Sequence, residues 1–438
     1  MYIYNSVVYK AKPFKYYLTV CMFSFYFLFF GSNILSLTPL AKVYTIGLYL
    51  YIVGLVLFGG IYYLDRVVNK KSLTLIDVLV IWMCLTPIYP AIMANQVFGQ
   101  SLFKGILTVE KTNITLMSSC FIYYLIRNGS LRMEEYNRAM LILCWISLLM
   151  YIYLMNTINP AAFQDTGLVG YNPSKGGWVF RFSPLPIVYG ISFYFLEFIF
   201  FKKKWSLLLF TGLFGYIVFI DKSRITIVET FGVLMLYMLY ALPILKTLGR
   251  LLYLAIFFGI MMYIVWLIKP ELLDIVTGML QNFFLAILGI DTGEGSADVR
   301  WIEMAKVWDF FDKYPGTMIT GVGQLNKEYM EREMGELYLT DIGIVGIFFV
   351  YGVIGTALQY LYFAFGAWLS WGNKNFKNDL FFHAAKLGLL NMFVDSFFTG
   401  GFVWVPTSLV NVLLILRFFQ IEDRKIEAAK KLEYEAHR

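Results

Sequence analysis

Residues 251–274 read LLYLAIFFGIMMYIVWLIKPELLD. The first 18 of them, Leu251 to Ile268, carry no charge. A helix of that length nearly crosses the ~30 Å hydrocarbon core of a bilayer at about 1.5 Å per residue. Lys269 ends the run, and the chain then stays polar as far as Thr340.

Similar apolar runs fall near 16–36, 43–63, 75–94, 113–126, 139–158, 184–201, 205–220, 225–242, 341–366, 379–398 and 402–419. With 251–268 they predict an all-α polytopic membrane protein of about 12 transmembrane helices, with the lipid bilayer as its solvent. Alternating strands of about 10 residues, the mark of a membrane barrel, are absent. Composition agrees. The 438 residues are 59% hydrophobic and only 15% charged, against about 25% charged in a soluble domain. The net charge of +7 calls for no nucleic-acid partner.

Lys and Arg set the orientation. With the N-terminus inside, the inner segments carry Lys10, Lys12 and Lys15, then Arg66, Lys70 and Lys71, then Lys202, Lys203 and Lys204, among others. Both termini are then expected on the cytoplasmic side. The expected divisions are 1–268 (nine spans, with a smaller outer loop at 159–183), 269–340 (one large outer loop), 341–419 (three spans) and 420–438 (a cytoplasmic tail). Basic residues precede the first span, but no small-residue cleavage site follows it, so it reads as an uncleaved helix. Cys21, Cys84, Cys120 and Cys144 all lie in expected spans, and the two histidines, His383 and His437, are far apart. No metal site and no cofactor is expected.

Chemistry is sought in the outer segments. The first, 159–183, is rich in Gly, Pro and Asn and reads as an irregular loop carrying Asp165, Lys175 and Arg181. The second is Asp221, Lys222, Ser223, Arg224, where Arg224 opens an apolar helix. A guanidinium there either reaches lipid phosphate or binds an anion beside the helix-terminal amides. Glu229 follows inside the span, where an ionisable group needs a partner or a wet cavity.

The third outer segment is the large loop. Residues 299–316, VRWIEMAKVWDFFDKYPG, read as an amphipathic helix ended by Pro315–Gly316. Trp301, Met304, Ala305, Trp308 and Phe311 form its expected apolar stripe, suited to lie flat on the membrane surface. Arg300 and Glu303 are one turn apart, as in a surface ion pair. The acidic stretch Asp291–Asp298 precedes this helix, and a Gly-punctuated turn, ITGVGQLN, follows it. Glu336, Tyr338 and Asp341 lie where the chain re-enters the membrane. Near the other end of the chain, Lys386 and Asp395 are about 13 Å apart along one helix, too far to pair.

Several of these features recur together in one family. They are the Ser223–Arg224 pair opening a span, Arg300 just before Trp301, the Gly321–Gly323 turn, and the re-entry Tyr338, Leu339, Asp341, Gly343, Ile344, Gly346. In this order and topology the chain resembles the Wzy-type polysaccharide polymerases, relatives of the O-antigen ligases among GT-C-type membrane glycosyltransferases. The matching residues lie within 221–346.

The resemblance implies an enzyme of the bacterial inner membrane, with the large loop periplasmic. It would move a growing glycan from undecaprenyl pyrophosphate onto a repeat unit on the same lipid, without a metal. Undecaprenyl-pyrophosphate-linked oligosaccharides are then its substrates, and a chain-length regulator protein is a further partner. Arg224 and Arg300 would hold the pyrophosphate. Glu336 or Asp341 would take the acceptor proton, with Glu336 the choice for the catalytic set. Arg181, Lys175, Lys222, Glu303, Tyr338 and Asp341 would contact substrate, with Glu303 able to orient Arg300 instead. The ligases usually carry a histidine near the re-entry. This chain has none there, which favours polymerase over transfer to lipid A core. A carrier or flippase is the alternative from another class. Its expected marks, repeat symmetry and paired helix breaks, are not evident in the sequence.

Overall fold

The computed structural model describes residues 88–108, 133–166, 169–172, 177–180, 185–221, 223–288, 295–335, 337–373, 375–377, 379–404 and 407–436, with scattered positions between 53 and 86. The spans expected at 16–36 and 113–126, and nearly all of 43–63, lie outside the described residues.

The structure is mostly helical (84%). Helix α1 is Ile88–Phe98, α2 is Leu102–Thr108 and α3 is Met133–Thr157. A 3-10 turn, Pro160–Thr166, leads into an antiparallel hairpin of β1, Val169–Asn172, and β2, Gly177–Phe180. This hairpin corrects the reading of 159–183 as irregular throughout. Tyr171 and Trp178 stand opposite each other across it, ring centroids 5.3 Å apart, an aromatic cross-strand pair that holds a short ladder together.

Helices α4, Leu185–Phe201, and α5, Lys204–Tyr216, follow, and α5 runs into a π-helical turn, Ile217–Asp221. Next come α6, Arg224–Ala241, and α7, Ile244–Ile268. Beyond them lie α8, Pro270–Ile287, α9, Gly295–Lys313, the single turn α10, Thr317–Thr320, and α11, Lys327–Met334. A 3-10 turn, Leu339–Asp341, precedes α12, Gly343–Ser370. The chain closes with α13, Leu380–Asp395, α14, Gly401–Trp404, and α15, Thr407–Ala436.

Local chemistry sets several ends. Pro270 occupies the first position of α8, where its missing N–H costs nothing. The Asn326 side chain accepts the Tyr329 amide, 2.9 Å, and caps α11. Asp379 likewise accepts the Phe382 amide, 2.9 Å, and caps α13.

Four described helices are long and apolar enough to cross a membrane: Met140–Thr157, Lys204–Asp221, Ile244–Ile268 and Gly343–Ser370. Within α7 only Thr247 and Leu254 are buried, while Leu252, Ile256, Ile260, Tyr263 and Trp266 are exposed. An apolar helix uncovered on most of its circumference is at home in lipid and not in water.

Two expectations need correction. Helix α7 begins at Ile244 and not 251, so Lys246 and Arg250 sit within it; the Arg250 guanidinium lies over the Phe198 ring at 5.4 Å. The polar stretch 269–340 opens on an 18-residue helix, α8, that was not expected. The segment expected as the tail, 420–438, continues the last expected span as one helix, since α15 runs unbroken from Thr407 to Ala436. Its extension is tied down where Asp423 accepts the backbone and side-chain N–H groups of Asn375, both at 2.9 Å.

Helix α13 is central. Leu380, Ala384 and Leu387 join an apolar cluster with α4, α5 and α6. On its other side Phe381, Phe382, Ala385 and Leu389 join a second cluster with α9, α12 and α15.

The segment Gly321–Asn326 is buried within the second cluster, not a surface turn. Helix α12 breaks at Gly352, whose φ is 64° and ψ −174°. The break strips the carbonyls of Phe349 and Val350 of their usual helical donors. Val322 N–H donates to Phe349 O (2.9 Å) and Gly323 N–H to Val350 O (3.0 Å) in their place. Helix α1 closes the third side. Gln324 N–H donates to Pro90 O, 3.1 Å, and the fully buried Gln100 side chain holds Gln324 O and the Asn326 amide.

No side chain fits this junction. A Cβ on Gly323 would stand 2.1 Å from Pro90 O, and one on Gly321 2.3 Å from Val350 O; both glycines have positive φ. Gly323→Ala is therefore expected to cost about 1–2 kcal/mol from φ alone, with the backbone clash added. Gly249→Ala, which lies inside α7 and meets nothing within 4 Å, should hold stability or raise it by up to about 1 kcal/mol. Thermal unfolding of both variants in detergent checks this, and equal melting temperatures would refute the junction.

Candidate functional site

The buried face of α9 is not the stripe the sequence suggests. Glu303, Val307 and Phe311 are 2%, 0% and 1% exposed, one residue per turn. Trp301 and Trp308 are exposed, and Met304 is half-buried. The apolar side of α9 packs on α12, with Phe311 5.2 Å from Phe348 and 5.8 Å from Phe349 between ring centroids. The Val307–Phe311 side is therefore covered by protein, while Trp301 and Trp308 are left uncovered.

Glu303 is the one polar member of that buried row. Its Oε1 accepts the Tyr338 backbone N–H at 2.9 Å. Its Oε2 is buried with no hydrogen-bond partner among the described residues. This corrects the surface ion pair with Arg300, since the bond goes to the re-entering chain. Burial holds the Glu303 carboxyl above the ordinary carboxylate range. The Tyr338 amide, Lys306 and Arg300 pull the other way, and Asp341 adds to the rise. Arg300, Lys306 and Asp341 thus all lie within electrostatic reach of one buried acid.

The re-entry is built to present this group. Leu337 and Leu339 are buried, while Tyr338 between them is 57% exposed. The Asp341 amide closes the turn on Tyr338 O, 2.9 Å, and Thr340 Oγ1 donates to Asp341 Oδ1, 3.2 Å. Gly346 lies under this turn, where a Cβ would be 2.1 Å from Leu339 O. At Gly343, φ +53°, a Cβ would be 2.2 Å from Phe397 O. The glycines of the re-entry motif are thus places where backbones meet.

The Gly343 contact brings the end of α13 to the same place. There Asp395 meets Glu229 of α6, and the two carboxyl groups are hydrogen-bonded to each other. Asn391 Nδ2 donates to Glu229 Oε1 at 2.5 Å, and Thr399 Oγ1 to Asp395 Oδ2 at 2.7 Å. The pair ties the helix that begins at Arg224 to the central helix.

Of the residues singled out in the sequence, the structure brings together Arg300, Glu303, Tyr338 and Asp341. It adds Lys306, which the sequence did not single out. The Arg224 backbone opens α6 after Ser223, whose Oγ lies 2.8 Å from Thr226 Oγ1; its side chain lies outside the described residues. So do Lys175, Arg181, Lys222 and Glu336. Among the described residues, no group of three or more His, Cys, Asp or Glu is placed to hold a metal ion. His383 is engaged on both ring nitrogens, by Tyr237 OH and Lys377 O. Lys386 rests over the rings of Tyr240 and Phe382.

Comparison with known family models, curated proteins and solved structures finds no match.

The carboxyl pair makes a stability prediction. Glu229→Ala or Asp395→Ala strands the remaining buried acid and should cost about 1–3 kcal/mol. Glu229→Gln keeps an acceptor for Asn391 and a donor for Asp395, and should fall within about 1 kcal/mol of wild type. Melting temperatures in detergent separate the two cases. A Gln variant as weak as the Ala variant would contradict the pairing.

Proposed function

We propose that the chain is a polysaccharide polymerase, a glycosyltransferase working on undecaprenyl-pyrophosphate-linked glycans at the periplasmic face of a bacterial inner membrane. In this reading the chain has about 12 spans, both termini are cytoplasmic, and 269–340 is the periplasmic loop. The observation that carries the reading is the setting of Glu303. A buried acid with one unpaired oxygen lies beside Arg300, Lys306 and Asp341, where the polar loop joins a helix apolar enough to span. The order of the motifs, from Ser223–Arg224 to the glycines of the re-entry, supports the same family.

The chemistry needs few parts. An acceptor-sugar hydroxyl oxygen bonds to the donor's anomeric carbon. The bond from that carbon to the pyrophosphate oxygen breaks, and the electron pair leaves on the lipid pyrophosphate. Arg224 and Arg300 hold that anion, with Lys175, Arg181 and Lys222 as further cations from the neighbouring segments. Preorganised cations of this kind lower the barrier without the reorganisation that water would need. A carboxylate near the acceptor takes the hydroxyl proton.

One structural feature favours a carrier, the broken helix α12, since carriers bind solutes at such breaks. Here the freed carbonyls of Phe349 and Val350 already accept Val322 and Gly323. They are not open to coordinate an ion or solute, and the enzyme remains the better reading.

The test uses the full chain purified in detergent, with a chelator and undecaprenyl-pyrophosphate-linked repeat units. A ladder of products one repeat apart is expected. Transfer only to lipid A core would make it a ligase, and lipid movement in proteoliposomes without either product would make it a carrier. Arg300→Ala and Arg224→Ala should each reduce ladder formation by at least about 100-fold while the protein stays in the membrane. Wild-type ladders in both would remove these arginines from the site.

A further inference from the structure

We infer that Glu303 is the residue that takes the proton from the acceptor-sugar hydroxyl, through its Oε2 atom. The inference rests on the polymerase reading and names a group within it. The sequence points elsewhere, to Glu336 or Asp341, and reads Glu303 as a substrate contact or a partner for Arg300.

Three observations carry it. First, the two carboxyl oxygens of Glu303 are not equivalent. Oε1 is fixed by the Tyr338 amide at 2.9 Å, while Oε2 has no partner among the described residues. Buried polar atoms in folded proteins are nearly always bonded, so an orphan oxygen on a 2% exposed residue needs a reason. A reacting hydroxyl that arrives with substrate supplies one. Second, the acid is held by a turn that carries exposed groups. The backbone bonded to it belongs to Tyr338, whose side chain is 57% exposed, and Asp341 on the same turn is exposed. Oε2 itself is buried, so a sugar seated at this turn meets it when the turn gives way. Third, Arg300 and Lys306 stand within electrostatic reach, so the acceptor end and the cationic end of the reaction share one helix.

The proton balance closes. The hydroxyl oxygen forms the new bond to the anomeric carbon. The C–O bond to pyrophosphate breaks with its electron pair, and the hydroxyl proton goes to Glu303 Oε2. Water then removes that proton before the next turnover. Burial, which raises the affinity of this carboxyl for a proton, brings the base closer to the pH at which such transfer is efficient.

Glu303→Gln is the discriminating variant. Its side-chain carbonyl still accepts the Tyr338 amide, so a purely positional role survives. Its other atom cannot take a proton. With wild type making a ladder, Glu303→Gln should lose about 100- to 10,000-fold in turnover. Its melting temperature and its binding of the lipid-linked repeat unit, followed by tryptophan fluorescence, should be unchanged. Wild-type turnover should fall on the acid side, with a midpoint above the ordinary carboxylate range, because the base works only when ionised. The residual rate of Glu303→Gln should lack that limb. A Gln variant as active as wild type would overturn the inference and leave the polymerase standing. So would an acid limb kept in the variant with only its amplitude reduced, which is the mark of a positioning residue. Should the variant not fold, the wild-type profile still decides, since a flat acid side overturns the assignment. No ladder from wild type removes both readings together.

Discussion

A chain in lipid must satisfy its backbone polar groups from within, because no water is present to do so. The break in α12 at Gly352 puts that constraint on one spot. Phe349 and Val350 lose their helical donors there, and the segment Gly321–Asn326 supplies two replacements at 2.9 and 3.0 Å. Because that segment also bonds to α1 through Pro90 and Gln100, three parts of the chain far apart in sequence are fastened together. The polar stretch 269–340 is thus anchored twice against α12, at Gly321–Asn326 and again at the Tyr338–Gly346 re-entry. Between the anchors α11 carries exposed ion pairs, such as Lys104–Glu328 at 3.1 Å, each worth about 0–1 kcal/mol. Backbone pairing at glycines, not surface charge, holds the loop where its chemistry is needed.

How much of this the sequence discloses follows from the kind of force involved. The helices at 133–157, 185–201, 204–221, 224–241, 343–370 and 380–395 are legible because solvation by lipid demands long uncharged runs. Helix α8 is not, since it lies in a stretch read as a loop and is amphipathic, with Glu271 and Asp274 early in it. Gly321 and Gly323 read as a turn, because nothing in a glycine says whether backbone or water lies beside it. On α9 the row 301, 304, 305, 308, 311 was the natural apolar stripe. The face that is buried is 303, 307, 311, because the helix packs on Phe348 and Phe349 and brings one acid in with it.

The site was legible in part for a related reason. Arg300, Tyr338 and Asp341 are polar residues next to long apolar runs, and such contrast is visible. The pairing of Glu229 with Asp395 is not, since the two are 166 positions apart in the chain and only the packing of α6 on α13 brings them together. The rule that an ionisable group inside a span needs a partner gives the need without naming the partner.

The two buried acid sites differ in how they are completed, and that difference separates structure from chemistry. Glu229 and Asp395 close on each other and on Asn391 and Thr399. A network with its members bonded to one another fixes geometry and leaves nothing for a substrate to meet. Glu303 is half completed, with one oxygen held and one open. Among the described residues the buried side-chain oxygens without a partner are this one, Thr230 Oγ1 and Thr356 Oγ1, and only this one belongs to an acid. It stands at the joint between the polar loop and α12, within reach of two cations, where a transfer reaction would need a base.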